Sequence, residues 1–219
     1  GGASRINEIA TKTGLETSGV SNQIASLIKL GLVIKEVPIT EEKNSRKTIY
    51  HLEDSMFRFW YRFVRPNVSA IMRGAGEAIY HNIKGQLNDF IGKVFEQICI
   101  DYLYLPDIYA ELPFPIGNTG RWWGNNKERK RQEEIDIISI SNDMILIGEC
   151  KWTNTAIDMD ILETLIERSN LFYYKQKYLY LFSKSGFTER VKAYAEENQS
   201  ICLIEFDKMH LDKPPHTPI

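Results

Sequence analysis

The chain of 219 residues has no run of eighteen or more apolar residues, which argues against a membrane-spanning helix. Its three cysteines, Cys99, Cys150 and Cys202, stand in apolar surroundings, which favours reduced thiols in a cytoplasmic protein over a disulfide framework. Four scattered histidines lack zinc-ligand spacing and predict no structural metal site. The net charge of −2 gives no global attraction to nucleic acid, so any such binding requires local basic patches.

Two β-rich runs of sequence meet at Asn142-Asp143, and together they predict a β-hairpin. If that dipeptide forms the turn, Ser141 pairs with Met144 and Asp136 lies directly opposite Glu149. Side chains that face each other across an antiparallel pair share one face of the sheet, with Cβ atoms about 5 Å apart. The pattern therefore predicts two facing carboxylates on the hairpin.

Facing carboxylates repel each other unless a positive charge lies between them. Mg²⁺ meets this need because it takes oxygen ligands and is often held by one or two carboxylates. Lys151 shares the face of Glu149, two residues away in the same strand, and adds a cation beside the pair. A surface triad with an ordinary salt bridge, worth about 0–1 kcal/mol, is the simpler interpretation. The apolar residues 145–147 argue against it, because they predict a central strand, where charged groups are seldom buried without a role.

Asp136, a gap of twelve residues, and Glu149-x-Lys151 resemble the motif of the PD-(D/E)XK nuclease superfamily. Ile135 stands where the superfamily's name has proline. Many members carry a further acid on the helix before the strands, and Glu96 is the matching residue here. The resemblance implies that Asp136, Glu149 and Glu96 hold Mg²⁺ or Mn²⁺ and that Lys151 is the catalytic lysine, which orients or activates the attacking water.

Strand alternation also predicts on which face of the sheet the neighbouring acids lie. Glu134 is expected on the face of Asp136, where it could replace Asp136 as a ligand, and Glu133 on the opposite, solvated side.

The stretch before the hairpin is rich in arginine, lysine and tryptophan, and we expect a loop that binds phosphates and stacks a base. A merely solvated loop is the alternative. The candidate nucleic-acid contacts of this stretch are Arg121, Trp123, Lys127, Arg129, Lys130 and Arg131.

Residues 1–65 predict a winged helix-turn-helix followed by an aromatic linker. A short helix near Arg5 precedes a recognition helix that starts at Thr17 and is closed by Gly31, and residues 32–38 and 48–52 form the wing. Such a domain normally has one more helix before Arg5, so the chain is expected to come from a longer protein. The candidate DNA contacts here are Asn22, Lys43, Arg46 and Lys47. A winged helix that packs structurally against an ATPase module is an equal alternative.

Residues 66–86 predict a linker and helix, residues 87–207 a second domain, and residues 208–219 a loosely ordered tail. The second domain should have the element order αβββαβαβ, with its first strand at residues 108–115 and a central mixed sheet. The expected class is α/β (α+β), with the layout of a PD-(D/E)XK nuclease-like domain. The aromatic residues 54–64 are predicted to lie in a core between the domains.

The winged helix, the phrase DSMFRFWYRFVRP and the GECKW domain together resemble the C-terminal half of an archaeal-type AAA+ ATPase family that also occurs in bacteria. No G-x-x-x-x-G-K-[ST] motif is present, so ATP would bind only on an upstream domain. The resemblance implies a DNA-processing module of a larger ATPase, a metal-dependent nuclease, with DNA and the upstream ATPase domain as partners. The alternative is a non-catalytic DNA- or protein-binding regulatory region. Whether the chain forms a homo-oligomer is left open by the sequence.

Overall fold

The computed structural model describes residues 2–43, 45–126 and 129–209, and it divides into two compact units between Leu87 and Asn88. The first unit begins with α1 (Ile6–Thr13), α2 (Thr17–Lys29), β1 (Val33–Glu36) and β2 (Ile49–Leu52), whose two strands pair antiparallel. Gly31 follows α2 with a φ of 68°, and its N–H donates to the carbonyl of Ile28, a glycine-closed helix end. This order of two helices and a two-stranded wing is the predicted one.

A nearly continuous helical segment follows the wing. It consists of α3 (Ser55–Phe59), a π-helical turn (Trp60–Val64), a 3-10 turn (Arg65–Asn67) and α4 (Val68–Met72). Phe63 is buried, whereas Trp60 and Tyr61 are 42% and 51% exposed. The prediction that these aromatic residues are core is therefore wrong for most of them, because a single helix buries only one stripe of its surface.

The second unit is built on a five-stranded sheet. Its elements are α5 (Gly76–Leu103, which begins in the first unit), α6 (Pro106–Glu111), β3 (Thr119–Asn126), β4 (Arg131–Ser141), β5 (Met144–Lys151), α7 (Met159–Ser169), β6 (Gln176–Ser183), α8 (Glu189–Glu196) and β7 (Ile201–Glu205). The strands lie in the order β3-β4-β5-β6-β7; the first three are antiparallel, and β5, β6 and β7 are parallel. The predicted α/β class and mixed sheet are confirmed, and the element order is the predicted one except for α6, an additional helix between α5 and β3.

The position of the first strand of this unit was predicted wrongly. Residues 108–115 were expected to form it, but α6 ends only at Glu111 and β3 begins at Thr119. Pro106 occupies the first turn of α6, where its fixed φ suits a helix and its missing N–H costs nothing. A proline at a helix start was thus the better signal than the apolar run that follows it.

The β4–β5 pair is buried on both faces. On one face, Phe95 and Cys99 of α5 belong to the same apolar cluster as Ile137 and Leu146. On the other face, α7 packs against β5 and β6. Met209 is also buried in the first cluster, although it falls in the predicted tail; residues 210–219 lie outside the described residues. Within the described part of the chain, no helix is both long and apolar enough to cross a membrane.

Gly148 lies close to its cross-strand partner, since a Cβ added there would be 3.0 Å from the Cβ of Ile137. We expect Gly148→Ala to lower the free energy of unfolding by about 1–3 kcal/mol through overpacking. Gly92→Ala is the matched control: it lies inside α5 with open space around its added Cβ, and should raise stability by about 1 kcal/mol. Urea denaturation of both variants checks this, and an unaltered Gly148→Ala protein would contradict the tight β4–β5 contact.

Candidate functional site

The hairpin register is as predicted from the turn to Ile137, but the predicted pairing of Asp136 with Glu149 is not part of the ladder. Ser141 pairs with Met144, and the ladder continues to Ile137 opposite Gly148. Asn142 adopts a positive φ of 45°, a conformation that asparagine tolerates in turns. At the next position the backbone ladder stops, and Asp136 instead accepts a hydrogen bond from the backbone N–H of Cys150 at 2.9 Å.

A β-bulge in β4 explains why the ladder stops there. Between β3 and β4, Gly120 pairs with Ile138 but Trp122 pairs with Ile135, so Asp136 and Ile137 together face one residue of β3. A bulge of this kind reverses the alternation of side chains along the strand and re-aims individual residues. Residues before the bulge therefore lie on the opposite side from the one that unbroken alternation predicts.

Glu133 shows the consequence. It was expected on the solvated side, but it is only 3% exposed and it shares Arg168 of α7 with Glu149. Arg168 Nε donates to Glu133 Oε2 at 3.2 Å, and Arg168 Nη1 donates to Glu149 Oε2 at 2.8 Å. The sequence reasoning missed both residues, because neither the bulge nor the approach of the last turn of α7 leaves a local signal.

Glu149 is 6% exposed and both of its carboxylate oxygens have a cationic partner. Lys151 Nζ donates to Oε1 at 2.5 Å, while Arg168 holds Oε2. Burial raises the pKa of Glu149, the charge of Asp136 raises it further, and Lys151 and Arg168 only partly oppose this. Burial alone would lower the pKa of Lys151, but Glu149 outweighs it and the pKa is raised, so Lys151 is an ammonium at neutral pH.

Glu96, the candidate third acid, is buried on α5. Lys93 Nζ donates to its Oε1 at 2.9 Å, and Arg121 Nε lies 3.4 Å from its Oε2. Burial raises the pKa of Glu96, and the charge of Asp136 raises it again. The structure thus brings Asp136 into electrostatic reach of both Glu96 and Glu149.

The charge of Asp136 acts on both buried glutamates, which also form ion pairs with basic side chains of their own. Their oxygens are the ligand type that Mg²⁺ and Mn²⁺ take, and like charges in a buried site favour a bound cation. In the conformation seen here, no three His, Cys, Asp or Glu side chains of the described residues are close enough together to hold a metal ion. The donor set fits a divalent cation in chemical type, and its members would have to converge to bind one.

Residues 121–126 of the basic stretch lie in β3, and Arg131 begins β4, so these residues do not form the predicted loop. Trp123 was expected to stack a base, yet it is only 6% exposed, so its ring is unavailable for stacking. Arg121 lies against Glu96, and Arg129 pairs with Glu167 of α7 at 2.6 Å.

The rest of this stretch is more accessible. Lys130 and Arg131 are exposed, and Arg131 Nε also donates to Glu133 Oε1 at 2.6 Å. Lys127, also a predicted contact, lies outside the described residues. A shallow pocket at the end of the β3–β4 hairpin is lined by Asn125, Asn126, Lys130, Arg131 and Gln132.

The predicted contacts of the first unit are differently placed. Asn22 is exposed on α2, and Lys43 and Arg46 are exposed between the wing strands. Lys47 Nζ donates to Glu41 at 2.7 Å, so part of its charge is already compensated within the wing. Lys43 and Arg46 are therefore the stronger candidates for a phosphate contact in this unit.

Residues 60–163 match the model of DUF234, a family described as archaea bacterial proteins of unknown function. An uncharacterized protein of Methanocaldococcus jannaschii, MJECL04, is 31% identical to this chain over 158 residues. That alignment covers 71% of this chain and 34% of the relative, so the chain spans about a third of the relative's length. The crystal structure of protein VC1899 from Vibrio cholerae aligns with 91% of this chain and 41% of its own, at 17% identity and a TM-score of 0.37. A likeness of that degree carries no functional meaning.

The pH dependence of the free energy of unfolding should reveal the raised pKa of the buried Glu96. Because the pKa of Glu96 is raised above its ordinary 4.5, this carboxyl contributes stability at acidic pH that is lost as the pH rises through its folded-state pKa. Glu96→Gln removes that loss, so the variant should gain stability relative to the wild type as the pH increases from about 4 to 8. Urea midpoints across this range test it, with Glu163→Gln, an exposed residue of α7, as the control that should follow the wild-type profile. A constant difference between Glu96→Gln and the wild type would contradict the assignment.

Proposed function

We propose that the second unit is a metal-dependent, PD-(D/E)XK-type nuclease domain and that the chain is a DNA-processing module of a larger ATPase. The observation that carries the proposal is the placement of Asp136 within electrostatic reach of Glu149 and Glu96, two buried carboxyls whose pKa values are raised by burial and by that charge. Buried carboxylates that repel one another reduce stability, and a site that keeps them is a candidate for function.

Each residue has a role that follows from its contacts. Asp136, Glu149 and Glu96 would hold Mg²⁺ or Mn²⁺. A bound cation would supply charge stabilisation at the scissile phosphate and a water of lowered pKa. Lys151 touches Glu149 and stays protonated, so its role is to offset the negative charge that develops on the phosphate, not to remove a proton.

The exposed cations at the start of β4 indicate which class of substrate the domain binds. Lys130 and Arg131 are exposed at the start of β4, the strand that carries Asp136, and guanidinium and ammonium groups bind phosphate backbones without regard to sequence. DNA is therefore the proposed substrate. ATP would bind only on an upstream ATPase domain of the longer protein, and homo-oligomer formation is a further proposal that this chain's contacts do not address.

A second candidate function is a non-catalytic DNA- or protein-binding regulatory region. One observation favours it: Glu149 and Glu96 are each already held by two basic side chains. Ion pairs of this kind can be purely structural, since folds are reused without their chemistry. The two candidates differ in whether a cation binds at the acids.

Titration calorimetry with Mn²⁺ and a DNA-cleavage assay separate the two functions. We expect the wild type to bind Mn²⁺ and to cleave DNA, and Asp136→Asn and Glu149→Gln to lose both properties because each removes a ligand. Lys151→Ala should still bind Mn²⁺ but cleave about 10²–10³-fold more slowly, because it removes charge stabilisation only.

Glu189→Gln, a substitution on the exposed surface of α8, is the matched control and should bind and cleave as the wild type does. Cleavage that persists unchanged in Lys151→Ala would point to a contaminating nuclease. Absence of Mn²⁺ binding by the wild type would sink the nuclease assignment and leave the regulatory one.

DNA binding without cleavage is tested by fluorescence anisotropy at rising salt. If the first unit contacts the backbone, Lys43→Gln combined with Arg46→Gln should weaken binding for all sequences and reduce the salt slope by about 2. Lys175→Gln serves as the control, since Lys175 pairs with Asp143 at the far end of the β4–β5 hairpin. An unchanged slope in the double variant would exclude the wing as the DNA contact.

A further inference from the structure

Five charged side chains form a continuous line of ion pairs from the start of β4 to the end of β5. In order they are Arg131, Glu133, Arg168, Glu149 and Lys151. The signs alternate along the line, and the two inner links are the 3.2 Å and 2.8 Å contacts of Arg168 with Glu133 and Glu149. Arg131 is 51% exposed at its side chain, whereas Glu133 and Glu149 are buried. One end of the line is thus open to solvent and the other lies at the candidate active site.

Shared partners make neighbouring links compete. Arg168 has one guanidinium for two carboxylates, and Glu133 has one carboxylate for two arginines. Hydrogen bonds to charged groups are about twice as strong as neutral ones, and burial of Glu133 and Glu149 keeps water from replacing them. Loss of Arg131 from Glu133 should therefore strengthen the hold of Glu133 on Arg168 and weaken the hold of Arg168 on Glu149.

We propose that Arg168 is a positioning residue for Glu149 and that an anion bound at Arg131 releases Glu149 Oε2 through Glu133. The anion is a backbone phosphate of the nucleic acid, and the inference rests on the proposed nuclease function. Without that phosphate, both oxygens of Glu149 accept hydrogen bonds from Lys151 and Arg168, so a cation must compete with Arg168 for the carboxylate and binds more weakly. Phosphate at Arg131 draws Arg168 toward Glu133 and frees the oxygen that the cation needs. Substrate binding thereby strengthens cation binding.

The neighbouring charges do not offer another route. Arg129 pairs with Glu167, the residue before Arg168, but this pair shares no atom with the line. Glu96 forms its ion pairs with Lys93 and Arg121. Glu133 is the one carboxylate that touches both Arg131 and Arg168 in the contacts seen within the described residues.

Two substitutions at neighbouring positions should shift Mn²⁺ affinity in opposite directions. Arg131→Gln mimics loss of Arg131 to phosphate and should tighten Mn²⁺ binding by about threefold to tenfold. Glu133→Gln leaves Arg168 to Glu149 alone and should weaken Mn²⁺ binding by a similar factor. General destabilisation cannot produce this pattern, because it would weaken binding in both variants. Titration calorimetry on the 219-residue chain measures the effect, with Arg190→Gln and Glu189→Gln on α8 as matched controls that leave the affinity unchanged.

A second measurement needs no metal. The side-chain N–H signals of Arg168 in nitrogen-15 NMR spectra report its two hydrogen bonds separately, through the rate of exchange with water. Arg131→Gln should slow exchange at Nε, which faces Glu133, and speed it at Nη1, which faces Glu149; Glu133→Gln should do the reverse. The α8 controls should change neither signal.

The outcomes distinguish the two proposals. Wild-type protein that binds Mn²⁺, with both variants unchanged or shifted the same way, overturns the role of Arg168 alone. Wild-type protein that binds no Mn²⁺ overturns the nuclease function, and the NMR exchange rates then decide whether Glu133 and Glu149 compete for Arg168. Equal exchange rates in all variants would end the positioning proposal whatever the metal result.

Discussion

The carboxylate of Glu149, buried on the central strand of the sheet, is the constraint on which the rest of the site depends. A charge taken out of water costs several kcal/mol unless it is paired, so a buried glutamate requires cations in fixed positions. Lys151 comes from the same strand, and Arg168 comes from the helix that covers that face. Arg168 in turn needs Glu133 to balance its second donor, and Glu133 needs Arg131. One buried charge thus determines four others.

The bulge in β4 is what makes this arrangement possible. With regular alternation, Glu133 would lie on the face opposite Glu149 and Arg168 could not reach both. The extra residue at Asp136 and Ile137 brings Glu133 to the face of α7 and leaves Asp136 to accept a hydrogen bond from the backbone of Cys150. A bulge weakens the local ladder and is favoured where a side chain must be re-aimed. Here it re-aims the residue that lies within electrostatic reach of both buried glutamates.

Much of the fold was readable from the sequence because its signals are local. Asn142-Asp143 fixed the hairpin register, Gly31 closed its helix, and the apolar runs predicted the later strands and helices. The first strand was misplaced because an apolar run after Pro106 suits a short helix as well as a strand. The prediction of an exposed Trp123 ring is wrong because a basic stretch resembles a loop, whereas Trp123 lies in β3 and is only 6% exposed.

Only part of the candidate site could be predicted from the sequence, because the other part depends on tertiary structure. Asp136, Glu149 and Lys151 follow from strand register and spacing alone. Arg168 and Glu133 depend on a bulge and on a helix docked from elsewhere in the chain, neither of which has a sequence period. Arg168 and Glu133, which the sequence did not predict, are also the residues that change the chemistry of the site. Two carboxylates and a lysine suggest an open cation site, but Glu149 and Lys151 form a charge network with Arg168 and Glu133, in which a cation must compete with a partner of Glu149.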